Sequence, residues 1–284
     1  MSIFSGAFAL EAAEEVCGAE LDDLAALVDN SLIKPIGDDH FVMLATIRSY
    51  AREKLRAEGE LRRRHAVFFS AHAENAYRGA FDAEAEWSSR LERVHDLRAA
   101  LDWLSEDDPD RALELAGALG WFWLSRGLLR EGRARLSTAL AGSGHAGRPR
   151  ARALAASGAL LARQGDAAAG IEELEAAVAM WRELGDREEL AAALDSLGWP
   201  LVYDAASHER ALAAFEESLG LWRELGDEAG VTRALVGTAQ VLVAMGETER
   251  AETISLDLLA PGGRGCAHRA LRVPLPRRLR PHPR

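Results

Sequence analysis

The hexapeptide Trp181-Arg-Glu-Leu-Gly-Asp186 returns unchanged as Trp222-Arg-Glu-Leu-Gly-Asp227, forty-one residues further along the chain. A repeat of that period marks stacked helical hairpins, units that bury their apolar faces on their neighbours instead of closing into one globule. In each copy the tryptophan ends an apolar stripe at helical spacing: Ile171, Leu174, Val178 and Trp181 match Leu212, Phe215, Leu219 and Trp222. The glycine stops one helix and the aspartate starts the next, with Glu189 three residues after Asp186 in the capping-box position. The hexapeptide therefore reads as the joint between hairpins, and both tryptophans read as core.

Small residues carry the same period. Gly120, Gly158, Gly198 and Ala239 fall at one place in successive first helices, at intervals of 38, 40 and 41. Gly132, Gly170, Ala211 and Ala251 fall at the matching place in the second helices. Small side chains there let paired helices approach closely, as in tetratricopeptide-like hairpins lengthened beyond the usual 34 residues or so. Gly127-Leu, Gly165-Asp and Gly246-Glu mark turns inside three hairpins.

One hairpin departs from the pattern, with a proline in its first helix at Trp199-Pro-Leu-Val-Tyr203 and the turn Asp204-Ala-Ala-Ser-His208 in place of Gly-Asp. Proline in a continuous helix costs about 3 kcal/mol. A local irregularity is the simpler reading, and a kink that widens the groove is the functional one. First helices of such arrays line a concave face. Arg152, Arg163, Asp195, Trp199, Tyr203, Arg233 and Gln240 are accordingly the candidate groove residues, a polar and aromatic lining suited to a protein partner or small effector, with ordinary surface as the plain alternative.

Composition bounds the rest. The chain has 284 residues, of which 48% are hydrophobic and 6% aromatic, with short β-branched runs, so a mostly helical, all-α fold is expected. The formal charge of −11 with only two lysines, Lys34 and Lys54, argues against a nucleic-acid surface over the whole chain. Cys17 and Cys266 offer neither a disulfide framework nor metal-ligand spacing, which fits a reduced, cytoplasmic setting. The N-terminus lacks a basic leader and no apolar run reaches the ~18 residues of a membrane span. No carboxylate pair, nucleophile with its base, or metal cluster stands out, so no catalytic residue, metal or cofactor is assigned. His208-Glu209 is not a zinc-protease motif, because Leu212 stands where the second histidine would be.

In the first sixty residues, 9–17 and 21–32 read as short helices, Pro35–Asp39 as a turn, Phe41–Leu44 as a strand and Thr46–Glu58 as a helix stopped by Gly59. That order suggests a winged helix lacking its beginning. The second helix carries Asp22, Asp23 and Asp29 and no basic residue, which argues against direct DNA reading. Ser2-Ile-Phe-Ser-Gly-Ala-Phe8, Leu24-Ala-Ala-Leu-Val-Asp-Asn-Ser-Leu32 and Leu44-Ala-Thr-Ile-Arg-Ser-Tyr-Ala51 resemble the winged-helix segment after the nucleotide-binding domain of STAND-class signal-transduction ATPases, the large LuxR-type and MalT-like transcription regulators among them. His95-Asp-Leu-Arg-Ala-Ala-Leu101 is similar to their Asp-Asn-Leu-Arg-Ala-Ala-Leu, without the asparagine. The resemblance implies a C-terminal regulatory part of such a protein, acting in transcriptional control beside a nucleotide-binding domain that this chain does not supply. Neither lysine follows a glycine, so the chain holds no phosphate-cradling Walker loop.

The remaining segments complete the expected organisation. Residues 1–59 form the winged-helix-like domain, 60–108 a helical linker that contains Arg62–Arg64 and the packing histidines His65 and His72, and 109–260 a right-handed tetratricopeptide-like solenoid. Residues 261–284 hold seven arginines, five prolines and no acid. A basic arm and a disordered, out-of-frame end both fit that tail. The second is favoured because Glu252 and Ser255 break the apolar stripe just before it. The leading expectation is a non-enzymatic regulatory and sensor fragment, and the alternative a free-standing interaction scaffold.

Overall fold

The structure, a computed structural model, describes residues 1–37, 39–55, 58–78 and 94–259. The chain divides into two compact units, Met1–Ala156 and Ser157–Arg284. The boundary falls inside a helix, whereas the sequence placed its divisions at 59 and 108. The basic tail and the Trp87–Leu91 part of the linker lie outside the described residues.

The first unit opens with strand β1 (Ala7–Ala9), helices α1 (Leu10–Cys17) and α2 (Leu21–Asp29), strands β2 (Ile33–Ile36) and β3 (His40–Met43), and helix α3 (Ala45–Glu53). The strands form one antiparallel sheet in the order β1-β3-β2, with Phe8 and Pro35 on either side of Phe41. Strand β2 lies at an edge, where a proline removes no ladder bond that the sheet needs. The strand expected at Phe41–Leu44 is β3, and β1 and β2 join it, each too short for alternation to show in sequence; the rest of the described chain is mainly helical, as composition predicts. The helix stop expected at Gly59 is corrected. Helix α3 ends at Glu53, and Gly59 sits in the first turn of the next helix, α4 (Glu58–Arg78).

Helix α3 docks through its cations and not through an apolar face. Arg52 donates to the carbonyls of Ser2 at 2.8 Å and Ile3 at 3.2 Å, while Arg48 donates to Met43 O at 2.9 Å and to Ser5 O. No residue of α3 is fully buried, and Tyr50 is 63% exposed. The core of this unit lies under α1 and α4 instead, where Phe4, Phe8, Val16 and Phe69 are sealed from solvent.

Helix α4 packs on α1 and on two later helices, α5 (Val94–Asp107) and α6 (Pro109–Ala118). His65 of α4 is buried with its Nε2 3.0 Å from Asp96 Oδ1 of α5, and the same oxygen accepts the Ser5 amide at 2.6 Å. His72 stacks on Phe68, so both histidines are engaged in packing contacts. Asp108 caps α6 through the Arg111 amide at 3.1 Å, with Pro109 at the first helical position. Helices α7 (Gly120–Ser125) and α8 (Leu129–Gly142) follow, and Trp123 lies buried over Gly132, where a Cβ would come within 2.7 Å of it. Trp121 points to solvent at 37% exposure.

The second unit is a stack of long helices: the latter part of α9 (Arg148–Gln164), then α10 (Ala167–Leu184), α11 (Arg187–Leu201), α12 (His208–Leu225), α13 (Glu228–Met245) and α14 (Thr248–Leu259). Consecutive helices from α10 onward pack on one another, and α11 also reaches α13. The hairpin glycines Gly127, Gly165, Gly185, Gly226 and Gly246 all have positive φ, from 69° at Gly185 to 96° at Gly165, which a side chain would resist. Asp186 and Asp227 cap the next helices through the amides of Glu189 at 3.2 Å and Gly230 at 2.9 Å. Trp181 and Trp222 are 0% and 1% exposed, so the hexapeptide is a joint with a buried knob.

Close approach is real but not uniform. Gly158 and Gly170 face each other: a Cβ on either would stand 2.7 Å from the other's carbonyl oxygen. In the next hairpin Gly198 lies under Phe215, and on the far side Gly237, not Ala239, receives the same ring. Ala239 is only half-buried, which corrects its place in the small-residue series. The last helix keeps an apolar contact that its broken stripe does not predict, through Ala251, Ile254 and Leu258, one position out of phase with the earlier stripes. On the exposed side, Arg182 pairs with Glu217 at 2.6 Å, and Arg210 with Glu175, both joining residues 35 apart on α10 and α12.

Candidate functional site

The candidate groove residues fall into two kinds once placed. Tyr203 is 64% exposed at the end of α11, Arg163 is exposed near the end of α9, and Gln240 is half-buried on α13. These present polar groups outward. Trp199 is half-buried, packs edge-on against Phe215 at 5.5 Å, and lies against the cluster of Val236 and Leu258. Its indole forms part of the wall.

Arg152 belongs to the first unit and is engaged there. It makes a 2.7 Å ion pair with Glu74 and lies 4.2 Å over the Tyr77 ring, with its side chain only 13% exposed. Neither partner on α4 was foreseen, because nothing in the sequence pairs α4 with the α9 register.

Asp195 corrects the expectation of a groove-facing carboxylate. It is 7% exposed and points between helices: Ser218 Oγ lies 2.9 Å from its Oδ1, and the Trp222 indole N–H donates to Oδ2 at 3.1 Å. Arg233 Nε stands 3.8 Å from Oδ2, with its guanidinium 5.3 Å from the Trp222 ring centre and 3.9 Å from Asp227. Burial pushes the Asp195 carboxyl up to about 6, against the pull of Arg233 and of the Ser218 and Trp222 hydrogen bonds. A readable signal existed. Asp195 stands where the neighbouring first helices have Ala155 and Val236, and Ser218 stands where the preceding second helix has Ala177. Two polar residues entering one apolar seam together imply that they meet.

The proline expected to interrupt α11 lies within it, at Pro200, one residue before its end. The unusual turn is a short 3₁₀ segment, Ala205–Ser207, closed by Asp204, which accepts from the Ala206 amide at 3.2 Å and the Ser207 hydroxyl at 2.7 Å. His208 is tied to the Val202 carbonyl at 3.0 Å. These bonds set Tyr203 on a built corner and not on a loose loop. Among the described residues no group of His, Cys, Asp and Glu could hold a metal ion, and no helix is long and apolar enough to cross a membrane.

This arrangement of Gly-turned, Asp-capped helical hairpins is the tetratricopeptide-like class of α-solenoid, and solved structures bear that out at the level of fold. The chain is similar to BtubC (BKLC) from P. vanneervenii, with 18% identity and a TM-score of 0.51 over 68% of this chain and 87% of that one. It is also similar to a putative kinesin light chain with nearly identical TPR-like repeats from Podosopora anserina, with 16% identity and a TM-score of 0.51 over 67% of this chain and 92% of that one. A third structure, the STAND protein with a tetratricopeptide repeat sensor PH0952 from Pyrococcus horikoshii, aligns at 15% identity and a TM-score of 0.47 over 91% of this chain and 49% of that one. No family model matches the chain, and no curated protein matches it significantly.

Proposed function

We propose that this chain is a regulatory and sensor segment that binds a protein partner or small effector through the first-helix face of its tetratricopeptide-like hairpins. The observation that carries this reading is the corner at Tyr203: a large aromatic side chain, 64% exposed, held in place by a proline-ended helix and an Asp-capped turn. Exposed aromatics on rigid supports are the usual anchors of protein interfaces. Arg163 and Gln240 add polar contacts on the first helices.

The finer reading places the segment in a STAND-class regulator of the LuxR or MalT type. Its support is the three N-terminal sequence matches in order, joined to a strand-helix-helix-strand-strand-helix arrangement that fits a winged helix. Helix α2 exposes Asp22, Asp23 and Asp29 to solvent, and so offers phosphates repulsion where a DNA reader offers cations. The winged helix is accordingly read as a regulatory surface.

The test has two arms. The first asks whether a P-loop ATPase frame lies beside this gene and whether its product copurifies with the chain; an isolated gene whose product neither binds nor hydrolyses ATP would favour the free-standing scaffold. The second compares Tyr203→Ala and Arg163→Ala with Arg223→Ala on a second helix, in binding to that ATPase or to an effector found with it. The first two should weaken binding at least tenfold with unchanged melting. Equal effects from Arg223→Ala would overturn the assignment of the face.

A further inference from the structure

We infer that Asp195 is a proton-binding joint: uptake of one proton from solvent completes the hydrogen-bond chain Asp195–Ser218–Ala191 that clamps α11 to α12, and relaxes the hold of the carboxylate on Arg233 of α13. The joint works in the same way whatever the groove binds.

The geometry poses a counting problem. Ser218 Oγ lies 2.9 Å from Asp195 Oδ1 and also 2.9 Å from the Ala191 carbonyl oxygen, yet a hydroxyl has one proton to donate. With Asp195 ionised, one of these contacts brings two electron-rich oxygens together inside a site that is 0% exposed at Ser218. With Asp195 protonated on Oδ1, the carboxyl donates to Ser218 Oγ, and Ser218 donates to Ala191 O. The Trp222 indole then donates to the remaining Oδ2, so each proton in the chain has an acceptor.

The charged groups acting on the carboxyl are Arg233 and Asp227, from α13 and its cap. Helix α12 contributes only the Ser218 hydroxyl and the Trp222 indole, and α10 adds no ionisable group to those acting on it. Among the described residues Arg233 is the single counter-charge, at 3.8 Å and with a side chain 34% exposed, so it compensates the carboxylate incompletely. Protonation removes the attraction and leaves the guanidinium to Asp227, 3.9 Å away.

Burial that lifts the carboxyl from 3.8 to about 6 corresponds to proton affinity raised about a hundredfold. A raised value means that the unfolded chain binds the proton less well. The stability due to this group is fully present below the ordinary carboxylate range and is lost as pH rises through about 6.

The experiment follows the aspartate side-chain carboxyls by carbon NMR in the full chain from pH 3 to 8, with thermal melting over the same range. One resonance should titrate about two pH units above the others and vanish in Asp195→Asn. The amide of that variant mimics the protonated acid, donating to Ser218 and accepting from Trp222, so its melting should lose the decline between about pH 4 and 6. Arg233→Gln keeps the test alive if Asp195→Asn folds poorly: it should move the same titration further up by removing the counter-charge. An Asp195 resonance in the ordinary range, an Asp195→Asn melting profile parallel to the natural one, or an Arg233→Gln titration that stays in place would each overturn the inference.

Discussion

Replacing Gly158 by alanine should destabilise the second unit, although alanine is the better helix former. Gly158 lies inside α9, and a Cβ there would stand 2.7 Å from the Gly170 carbonyl oxygen, 2.8 Å from Leu174 Cγ and 3.1 Å from the Leu174 amide nitrogen. Carbon–oxygen contacts of this kind settle at about 3.3 Å or beyond. The helices must therefore part by more than about half an ångström, and two of the three obstacles are backbone. Overpacking of this kind costs about 1–3 kcal/mol. The intrinsic helix gain on removing glycine returns about 0.8–1.0 kcal/mol. The net expectation is a loss of up to about 2 kcal/mol, from the difference of those two terms. Gly220 is the control: it also lies inside a helix, α12, but nothing stands within 4 Å of the place a Cβ would take, so Gly220→Ala should stabilise by up to about 1 kcal/mol. Urea unfolding of the full chain followed by circular dichroism reads both. A Gly158→Ala variant as stable as Gly220→Ala would refute the reading of the small-residue positions as helix contacts.

Three further outcomes are expected. Trp222→Phe removes the indole donor from buried Asp195 and should cost about 1–3 kcal/mol, while shifting the loss of stability with rising pH to higher pH, since the lost bond favours the ionised form. His65→Ala strips Asp96, which is 1% exposed, of its side-chain partner and should cost about 1–3 kcal/mol in the first unit, whereas Asp96→Asn keeps an acceptor for the Ser5 amide and should cost less; comparative melting separates them. The exposed pair Arg182–Glu217 should give a coupling below about 1 kcal/mol in a double-mutant cycle, reduced further in high salt.

Period and punctuation made the second unit legible. The tryptophan joints, the positive-φ turn glycines and the caps Asp186 and Asp227 stand where the hexapeptide placed them, because each is fixed by local chemistry, while Asp166 after Gly165 makes no side-chain cap. What escaped were features settled across the chain. Asp195 reads as a groove residue if each helix is taken alone, and only Ser218 and Trp222 on the next helix turn it inward. Arg152 is drawn to Glu74 and Tyr77 across a sequence gap that no periodicity bridges. Strands β1 and β2 are too short to show alternation, and Pro35 in β2 reads as a turn until an edge position excuses its missing donor. Helix α3 carries Ile47, Tyr50 and Ala51 at helical spacing, yet Arg48 and Arg52 tie it to the carbonyls of Ser2, Ile3, Ser5 and Met43 while Tyr50 stays exposed.

The ion pairs along the exposed side of the second unit carry a consequence for the order of the stack. Arg182–Glu217 and Glu175–Arg210 run in opposite senses, with cation to acid in one and acid to cation in the other. Such a crossed pair works as a key: a helix set against α10 in shifted register would bring like charges together and be turned away. The same positions one repeat later are Glu216 and Arg223 on α12, matched in sequence by Arg250 and Asp257 of α14 when Ala251 is set against Ala211. The key between α10 and α12 fixes which hairpin follows which, and the sequence writes the same alternation of charge into the next step of the stack.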